Sequence, residues 1–455
     1  MKKRITLLFF LITAVVFSQE TTTSFSLQDA IDYALENNRT AKNAARDIKA
    51  AKLQKWETTA TGLPQINASV DYQNWLKQQV SLLPASLLSD ATRNELGLGV
   101  NDQFPAVFGT KQSTTAYATL TQKLFDGSYL VGLQSAKVFL EISKNAKEKT
   151  DLEVRKAVIN AYGNVLLTEE TIAVLNRNIA VLEKNIFEIT KIYENGLEEE
   201  ESVEQLQITL SGVQSQLQNT LRLKKLAYQM FNITVGLDVN TPTTLTDNLE
   251  GLANFNTVIS LLDADENVEN NVDYKIAVND KTSKELLLKL EKSKALPTLD
   301  AFINGGYAAY NEKFHFTNSD QKWFGSSLFG VSLNIPIFSS GMRSASTQRA
   351  KVNLEKAQDD LTETQQQLKL QIAAAKSDYQ FAIEDYENKK SNLNLAERIE
   401  QKNQIKFFEG ISSSFDLRQA QTQLYTAQQE LLQAMLDVIN KKAELETVLN
   451  EIPKN

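Results

Sequence analysis

Two stretches of the chain follow one pattern, and they read Tyr193-Glu-Asn-Gly-Leu-Glu-Glu-Glu-Glu-Ser-Val-Glu-Gln-Leu-Gln207 and Phe407-Phe-Glu-Gly-Ile-Ser-Ser-Ser-Phe-Asp-Leu-Arg-Gln-Ala-Gln421. In each stretch an aromatic residue closes a helical run. Gly196 or Gly410 then supplies the left-handed backbone step that ends a helix at low cost. Each stretch is therefore predicted to be a tight turn between two long helices, so the chain contains this helical hairpin twice.

A new helix is expected to begin directly after each turn. Ser202 with Gln205, and Asp416 with Gln419, have the spacing of a side-chain cap and its reciprocal partner three residues later. We therefore expect Ser202 and Asp416 to cap the returning helices.

The helices on both sides of the turns carry apolar residues at alternating steps of three and four, the pattern of helices that pack side by side. The series before the first turn is Ile172, Leu175, Ile179, Leu182, Ile186, Ile189 and Tyr193. The series after the second turn is Leu417, Ala420, Leu424, Ala427, Leu431, Ala434 and Val438. The register stays constant at an offset of 214 positions (407 minus 193). In the helix before the second turn, Lys389 and Asn403 stand where the pattern calls for apolar residues. This predicts that the helix has a surface that partly faces water.

Four shorter segments alternate apolar and polar residues with the period of two that is typical of strands with one buried face. They lie at about 65–75, 114–125, 298–310 and 328–338. Each has roughly the length that a tilted strand needs to cross an outer membrane. Outside residues 1–18, no stretch approaches the roughly 18 uninterrupted apolar residues that indicate a membrane-spanning helix.

The order of these segments divides the chain into two related halves. Residues 1–18 have the basic start and apolar run of a secretory signal peptide. Residues 19–235 form a first repeat of helix, two strands and long hairpin with its tip near residue 196. An irregular linker with a short helix is expected at 236–265, and residues 266–455 repeat the order with a tip near residue 410. In each half one helix precedes the strands, the first running without interruption from Ser26 to about Thr58.

Composition excludes several classes of function. The 455 residues carry a net charge of -8. Proteins that bind nucleic acid rely on positive charge, so nucleic-acid binding is not expected. Cysteine is absent and histidine occurs once, so thiol chemistry, multi-histidine metal sites and histidine-based triads are not available. We therefore expect no enzyme activity and no cofactor.

Four strands cannot close a membrane barrel, and open strand edges have no hydrogen-bond partners in lipid. Closure would need several chains, and because the smallest membrane barrels have about eight strands, two or three copies are the simplest solutions. A soluble periplasmic coiled-coil scaffold or adaptor with a small hairpin cap is the alternative interpretation.

Several motifs, taken in order, resemble those of the TolC-like outer membrane factors, the outer-membrane efflux and secretion channels of Gram-negative bacteria. They are Ser26-Leu-Gln-Asp-Ala-Ile-Asp-Tyr-Ala-Leu-Glu-Asn-Asn38, the Leu-Pro pairs at 63–64 and 296–297, Val331-Ser-Leu-Asn-Ile-Pro-Ile-Phe-Ser-Ser-Gly341, and the two glycine turns. The resemblance covers nearly the whole chain after the leader.

The resemblance implies a mainly α fold with a four-stranded antiparallel β contribution. Three chains would join their strands in a twelve-stranded transmembrane barrel, and their long hairpins would form an α-barrel in the periplasm. Such a homotrimer, seated in outer-membrane lipid, is a passive exit duct coupled to an inner-membrane pump through a periplasmic adaptor.

The resemblance also implies roles for individual residues. Gly196 with Leu197, and Gly410 with Ile411, match the tip turns that contact the adaptor. Asp416 matches an aspartate that constricts the pore, where three copies would form an acidic ring that favours cations. From the residues alone, Asp416 is equally a simple helix cap.

Overall fold

The computed structural model describes residues 23–257, 259–263 and 267–450, so the predicted signal peptide lies outside the described residues. The chain divides into two compact units. The helical unit comprises Met1–Ala51, Leu140–Lys281 and Lys356–Asn455, and the sheet unit comprises Lys52–Phe139 and Thr282–Glu355.

The chain is mainly helical. The α-helices are α1 (Leu27–Asn37), α2 (Arg39–Ala60), α3 (Asp90–Leu96), α4 (Gly127–Glu194), α5 (Glu200–Val235), α6 (Leu249–Phe255), α7 (Val272–Ser293), α8 (Met342–Phe408) and α9 (Ser414–Leu449). The strands are β1 (Thr23–Phe25), β2 (Gln65–Asn74), β3 (Val80–Pro84), β4 (Gln103–Val107), β5 (Gln112–Asp126), β6 (Thr243–Leu245), β7 (Thr298–Asn311) and β8 (Phe324–Asn334).

The main sheet has four antiparallel strands in the order β2-β5-β7-β8. The period-two segments predicted these strands because alternating residues place one apolar and one polar face on a sheet. Strand β8 ends at Asn334, earlier than the sequence suggested. Pro336 has no amide hydrogen for a strand ladder, which is why the alternation of Ile335 and Ile337 does not continue the pairing.

The first strand connection contains structure that the sequence did not predict. Strand β3 pairs with β4 in a small antiparallel hairpin, and helix α3 lies between them in the chain. In the helical unit, the short strand β1 pairs in parallel with β6. The predicted irregular linker at 236–265 contains β6, which was not predicted, and helix α6, which is the short helix expected there.

The first predicted helix is interrupted at Asn38, which corrects the expectation of one helix to about Thr58. Asn38 has φ -57° and ψ 136°, outside the helical region. Its side-chain oxygen accepts from the amides of Thr40 and Ala41, and its Nδ2 donates to the Thr234 carbonyl at 2.7 Å. Asn38 therefore caps α2 while it ties the break to the end of α5.

Two apolar clusters form the core of the helical unit. The larger contains side chains from α1, α4, α5, α6, α8 and α9, including the fully buried Tyr162, Phe231 and Tyr386. The smaller lies where α4, α5, α8 and α9 approach the two turns, and it contains the heptad residues Leu182 and Leu206. Heptad packing therefore explains the core near the turns.

A buried ion pair crosses from α4 to α9. Arg155 Nη1 lies 2.6 Å from Glu446 Oε2, and the two side chains are only 15% and 4% exposed. Lys442 Nζ lies 3.8 Å from the other Glu446 oxygen and donates to Asn256 Oδ1 at 2.9 Å. The buried Glu446 carboxylate thus interacts with two cations, so removing it should destabilise the fold.

Within the described ranges, no helix combines the length and apolar character that a bilayer crossing by a helix requires.

Candidate functional site

The main sheet presents one apolar face. Residues paired directly across strands share a face, and Ile66, Leu120, Ile303 and Phe329 form one such row. Three of these residues are at the surface: Ile66, Ile303 and Phe329 are 71%, 50% and 68% exposed. Further members of this face are Val70, Tyr72, Leu299, Tyr307, Val331 and Leu333. A contiguous exposed apolar face of this kind marks a surface that meets lipid or another protein.

The opposite face is largely polar. Asn67, Thr119 and Asn304 lie in one row of it, which ends at the exposed Leu328 and is next to the apolar row that contains Ile303. Asp300 pairs with Lys123 on one side and with Ser332 on the other. A sheet with one apolar and one polar face can separate a lipid phase from water.

The two outer strands of this sheet each pair on one side only among the described residues. Strands β2 and β8 therefore keep a row of backbone donors and acceptors available along their outer edges. The apolar side chains on these two strands are exposed, and their contact with water is unfavourable. The sheet therefore has two edges, along β2 and β8, that are open to pairing with further strands.

The turn after α4 has the hydrogen bonds of a Schellman motif. Gly196 has φ 74°, its amide donates to the Tyr193 carbonyl at 2.8 Å, and the Leu197 amide donates to the Ile192 carbonyl at 3.2 Å. The positive φ explains the glycine, since other residues reach this region only with strain. Leu197 projects from the turn and is 78% exposed.

The turn after α8 has the same geometry. Gly410 also has φ 74°, its amide donates to the Phe407 carbonyl at 3.0 Å, and the Ile411 amide donates to the Lys406 carbonyl at 2.8 Å. Ile411 is 71% exposed. The four predicted tip residues therefore form two equivalent turns, each with one exposed aliphatic side chain.

Asp416 lies in the first turn of α9, but it is not the N-cap. Ser413 is the N-cap, and its hydroxyl accepts from the Asp416 amide at 3.2 Å. The Asp416 carboxylate accepts in return from the Ser413 hydroxyl at 2.7 Å and from the Ser413 amide at 3.2 Å, which completes a capping box. Asp416 is thus the reciprocal partner, and the predicted pairing with Gln419 is wrong.

Asp416 is negatively charged and exposed at neutral pH. Hydrogen bonds from Ser413, and a further one from the Ser412 hydroxyl at 3.1 Å, hold the pKa of its carboxyl below the ordinary 3.8. Because the folded-state pKa is lowered, the capping contribution is present at neutral pH and is lost only on strong acidification.

Ser202 does not cap α5, which corrects the second capping prediction. Helix α5 begins at Glu200, and its N-cap Glu199 makes no side-chain capping bond. The Ser202 hydroxyl donates instead to Glu198 Oε1 at 2.6 Å. The acidic residues before Ser202 favour this early start, because carboxylates are stabilised at the N-terminus of a helix.

Side-chain hydrogen bonds join the two hairpins, and the sequence did not predict them. Gln404 Nε2 donates to Asn185 Oδ1 at 2.9 Å, and Asn178 Nδ2 donates to Gln428 Oε1 at 2.8 Å. Asn185 is fully buried. Single buried amides leave no periodic signal in a sequence, so only the three-dimensional structure reveals them.

The single histidine lies in the β7–β8 connection. His315 contacts Asp320 at 2.9 Å and Asn318 at 2.8 Å. No group of three or more histidine or acidic side chains that could hold a metal ion occurs in the part of the chain that the structure describes.

One family model matches part of the chain. Residues 287–451 match the model of a family described as outer membrane efflux protein. No curated protein sequence matches the chain significantly. The motif-based resemblance to outer-membrane efflux channels is therefore confirmed by the family match in the second half of the chain.

Solved structures match over nearly the whole chain. The outer membrane protein VceC of Vibrio cholerae aligns with a TM-score of 0.71 at 16% identity, covering 93% of this chain and 95% of VceC. The CmeC outer membrane channel of Campylobacter jejuni aligns with a TM-score of 0.70 at 15% identity, covering 93% and 85%. The open-state MtrE outer membrane channel of Neisseria gonorrhoeae aligns with a TM-score of 0.69 at 15% identity, covering 93% and 88%. At such identities the likeness establishes the fold, and these proteins share the outer-membrane location predicted here.

Proposed function

Because its second half matches an outer membrane efflux protein family and its fold is that of outer membrane channels, we propose that this chain is a wall segment of an efflux-type channel in the outer membrane of a Gram-negative bacterium. The observation that carries the proposal is the sheet with one apolar face, one polar face and two unpaired edges. The apolar face meets lipid and the polar face lines the pore. A soluble scaffold would leave the apolar face in water.

The wall is completed by three copies. The strands of one chain have 10, 15, 14 and 11 residues, enough for tilted strands across an outer membrane. Their directions alternate, so β8 of one copy can pair with β2 of the next in the same antiparallel manner. Three sets of four strands give a barrel of twelve without a parallel junction, and the resemblance favours three copies over two.

The long hairpins form the periplasmic part of the duct. Helices α4 and α8 have 68 and 67 residues, and α5 and α9 have 36 each, which supports an internal two-fold repeat. The repeat places the first half at 19–235, a linker at 236–265 and the second half at 266–455. Because the duct is passive, an inner-membrane pump drives export.

The two glycine turns are the docking points for a periplasmic adaptor. Leu197 and Ile411 are exposed at equivalent positions, and exposed aliphatic side chains at a rigid turn suit a contact with apolar residues of a partner. The positive φ of Gly196 and Gly410 fixes the direction in which these side chains project.

Cysteine cross-linking tests the closure of the wall, and it is straightforward because the chain has no cysteine. Ser69→Cys on β2 is combined in turn with Ser326→Cys, Ser327→Cys and Ser332→Cys on β8. Oxidation should link neighbouring copies into covalent dimers and trimers and no larger species. The pair Ser69→Cys and Tyr117→Cys joins directly paired residues of one chain, so it should give no link between chains. Absence of inter-chain links at every β8 position would contradict the proposed junction.

Asp416 is proposed to narrow the pore in addition to its place in the capping box. Asp416→Ala should raise single-channel conductance and lower the preference for cations, since three copies lose an acidic ring. Ser413→Ala is the matched control, because it removes the capping hydroxyl at a cost of about 1 kcal/mol but leaves the charge. Planar-bilayer recordings compare the two. Equal effects of both variants on selectivity would reduce Asp416 to its capping role.

A further inference from the structure

The largely polar face of the main sheet carries aromatic side chains directly opposite glycines. Phe302 of β7 pairs with Gly330 of β8. Tyr117 of β5 pairs with Gly306 of β7. All of these residues lie on the same face as Asn304, because residues two apart in a strand share a face and so do residues paired across strands. The proposed function places this face towards the pore.

The Phe302 ring lies over Gly330, in the space that a side chain at position 330 would take. A methyl group on Gly330 would lie 2.8 Å from Cε1 and 3.0 Å from Cε2 of this ring, and closer still to Cζ. These separations are shorter than van der Waals contact, so the ring and a methyl group cannot both fit there. Gly330 is also partly buried, whereas every other residue of β8 is exposed. The ring therefore covers the glycine.

The Tyr117 ring crosses Gly306 in a similar way. A methyl group on Gly306 would lie 2.6 Å from Tyr117 Cδ1, and it would also strike the Ala116 carbonyl oxygen. Beyond the glycine, the Tyr117 hydroxyl lies 3.3 Å from the hydroxyl of Ser326, which is the β8 residue that pairs with Gly306. The Tyr117 side chain thus lies across β7, from β5 to β8, and does not stand up from the sheet.

Both rings depart from the usual direction of side chains in a sheet. Side chains of a strand stand roughly perpendicular to the sheet. A ring can lie flat on the neighbouring strand only where that strand has no Cβ in the way. Glycine inside a strand weakens the strand, and an aromatic ring that covers the glycine compensates for part of this loss. Each pair therefore stabilises the sheet and also keeps a large side chain low on the polar face.

We infer that Gly330 forms a recess that holds the Phe302 ring out of the pore, so that this pair sets the width of the duct at the level of the sheet. The inference rests on the proposed function, in which the polar faces of three copies surround one axis. Three Phe302 rings then lie at the same height around the pore. A side chain at position 330 would force each ring to stand up into the pore, and the passage would narrow for ions and for cargo.

A third aromatic–glycine pair lies on the apolar face and supplies a matched control. Tyr307 of β7 pairs with Gly325 of β8, and a methyl group on Gly325 would lie 3.2 Å from Tyr307 Cε1. Gly325 and Gly330 belong to the same strand but lie on opposite faces. Alanine at position 325 therefore changes strand propensity as alanine at position 330 does, but it displaces a ring that points away from the pore.

Single-channel recordings in planar bilayers test the recess. All variants carry Asp416→Ala, which relieves the proposed constriction at the inner end, and each is compared with Asp416→Ala alone. Gly330→Ala should lower the conductance, while Gly325→Ala should leave it unchanged. Phe302→Ala combined with Gly330→Ala should restore the conductance, because no ring remains to be displaced. The inference is wrong if Gly330→Ala has no effect or if the combined variant keeps the lower conductance.

A second set of variants does not depend on the folding of the crowded Gly330→Ala protein. Phe302→Ala with Gly330→Cys leaves room for a thiol in a chain that has no other cysteine. A benzyl group attached to this thiol through a disulfide in detergent adds a ring that the recess cannot hold. The conductance should fall on labelling and recover when a reductant removes the group. Unchanged conductance after complete labelling, verified by mass, would overturn the inference.

The control for labelling is Tyr307→Ala with Gly325→Cys, which should conduct equally well before and after it is labelled. The recordings also separate the recess from the proposed function. A purified chain that forms no channel would contradict both. A conducting trimer whose conductance does not depend on the side chain at position 330 would contradict the recess and leave the proposed duct intact.

Discussion

Ile303→Arg should prevent insertion into the outer membrane, whereas Asn304→Arg should not. Ile303 lies in the third strand of the sheet on the apolar face, and the next residue, Asn304, lies on the polar face. An arginine on the lipid face of a membrane barrel costs about 2–4 kcal/mol near the bilayer midplane, and each copy in the proposed trimer would carry it. On the polar face the same side chain meets water.

Membrane fractionation of cells that produce each variant measures this effect. Ile303→Arg protein should be depleted from the outer-membrane fraction and degraded, while Asn304→Arg protein should remain there at the level of the unchanged chain. Because the two positions are adjacent, strand propensity and position along the strand are matched. Normal insertion of Ile303→Arg would show that the apolar face does not contact lipid.

Glu446→Ala should destabilise the helical unit by about 3–5 kcal/mol, since removal of one partner of a buried ion pair leaves an uncompensated charge. Arg155 and Lys442 both lose their carboxylate in this variant. Thermal unfolding followed by helical circular dichroism measures the loss. The double variant Arg155→Met with Glu446→Leu should recover most of it, because an apolar pair of similar volume leaves no buried charge.

An exposed ion pair supplies the control for this substitution. Lys144 and Glu141 lie 2.7 Å apart on α4, and their side chains are about half exposed. Glu141→Ala should therefore change stability by less than about 1 kcal/mol. If both alanine variants lose the same amount of stability, the buried Arg155–Glu446 pair contributes no more to stability than an exposed pair does.

The pH dependence of Glu446→Ala follows from Lys442. Burial lowers the pKa of Lys442 below its ordinary 10.5, and Glu446 opposes that shift. Without Glu446 the folded-state pKa falls further, so the unfolded chain binds more protons over a wider range below 10.5. Stability then rises with pH in that range. The deficit of Glu446→Ala should accordingly shrink as the pH approaches the ordinary lysine value.

Helix ends and strand faces were predictable because their signals are local. Gly196 and Gly410 follow apolar runs and adopt the positive φ that only glycine reaches without strain. The alternation around Ile66 and Ile303 predicted two faces, since side chains in a strand point to opposite sides in turn. These signals need no knowledge of which strand pairs with which.

Competing local signals and contacts between distant residues were harder to predict. Ser413 and Asp416 are both good N-caps, and Ser413 prevails because Asp416 can bond back to it at the capping-box spacing. The β3–β4 hairpin joins short segments about twenty positions apart, one of which ends in Pro84. The amide contacts of Asn185 with Gln404 and of Asn178 with Gln428 join distant helices, so no periodicity reveals them.

We propose that the sheet of one chain is only part of a channel wall, and the mass of the purified particle tests that claim most directly. Native mass spectrometry of the purified protein, released from detergent micelles, should give one dominant species with three times the mass of a single chain. A single chain that is monodisperse in buffer without detergent would contradict the account, because its apolar face and open strand edges would then need no partner.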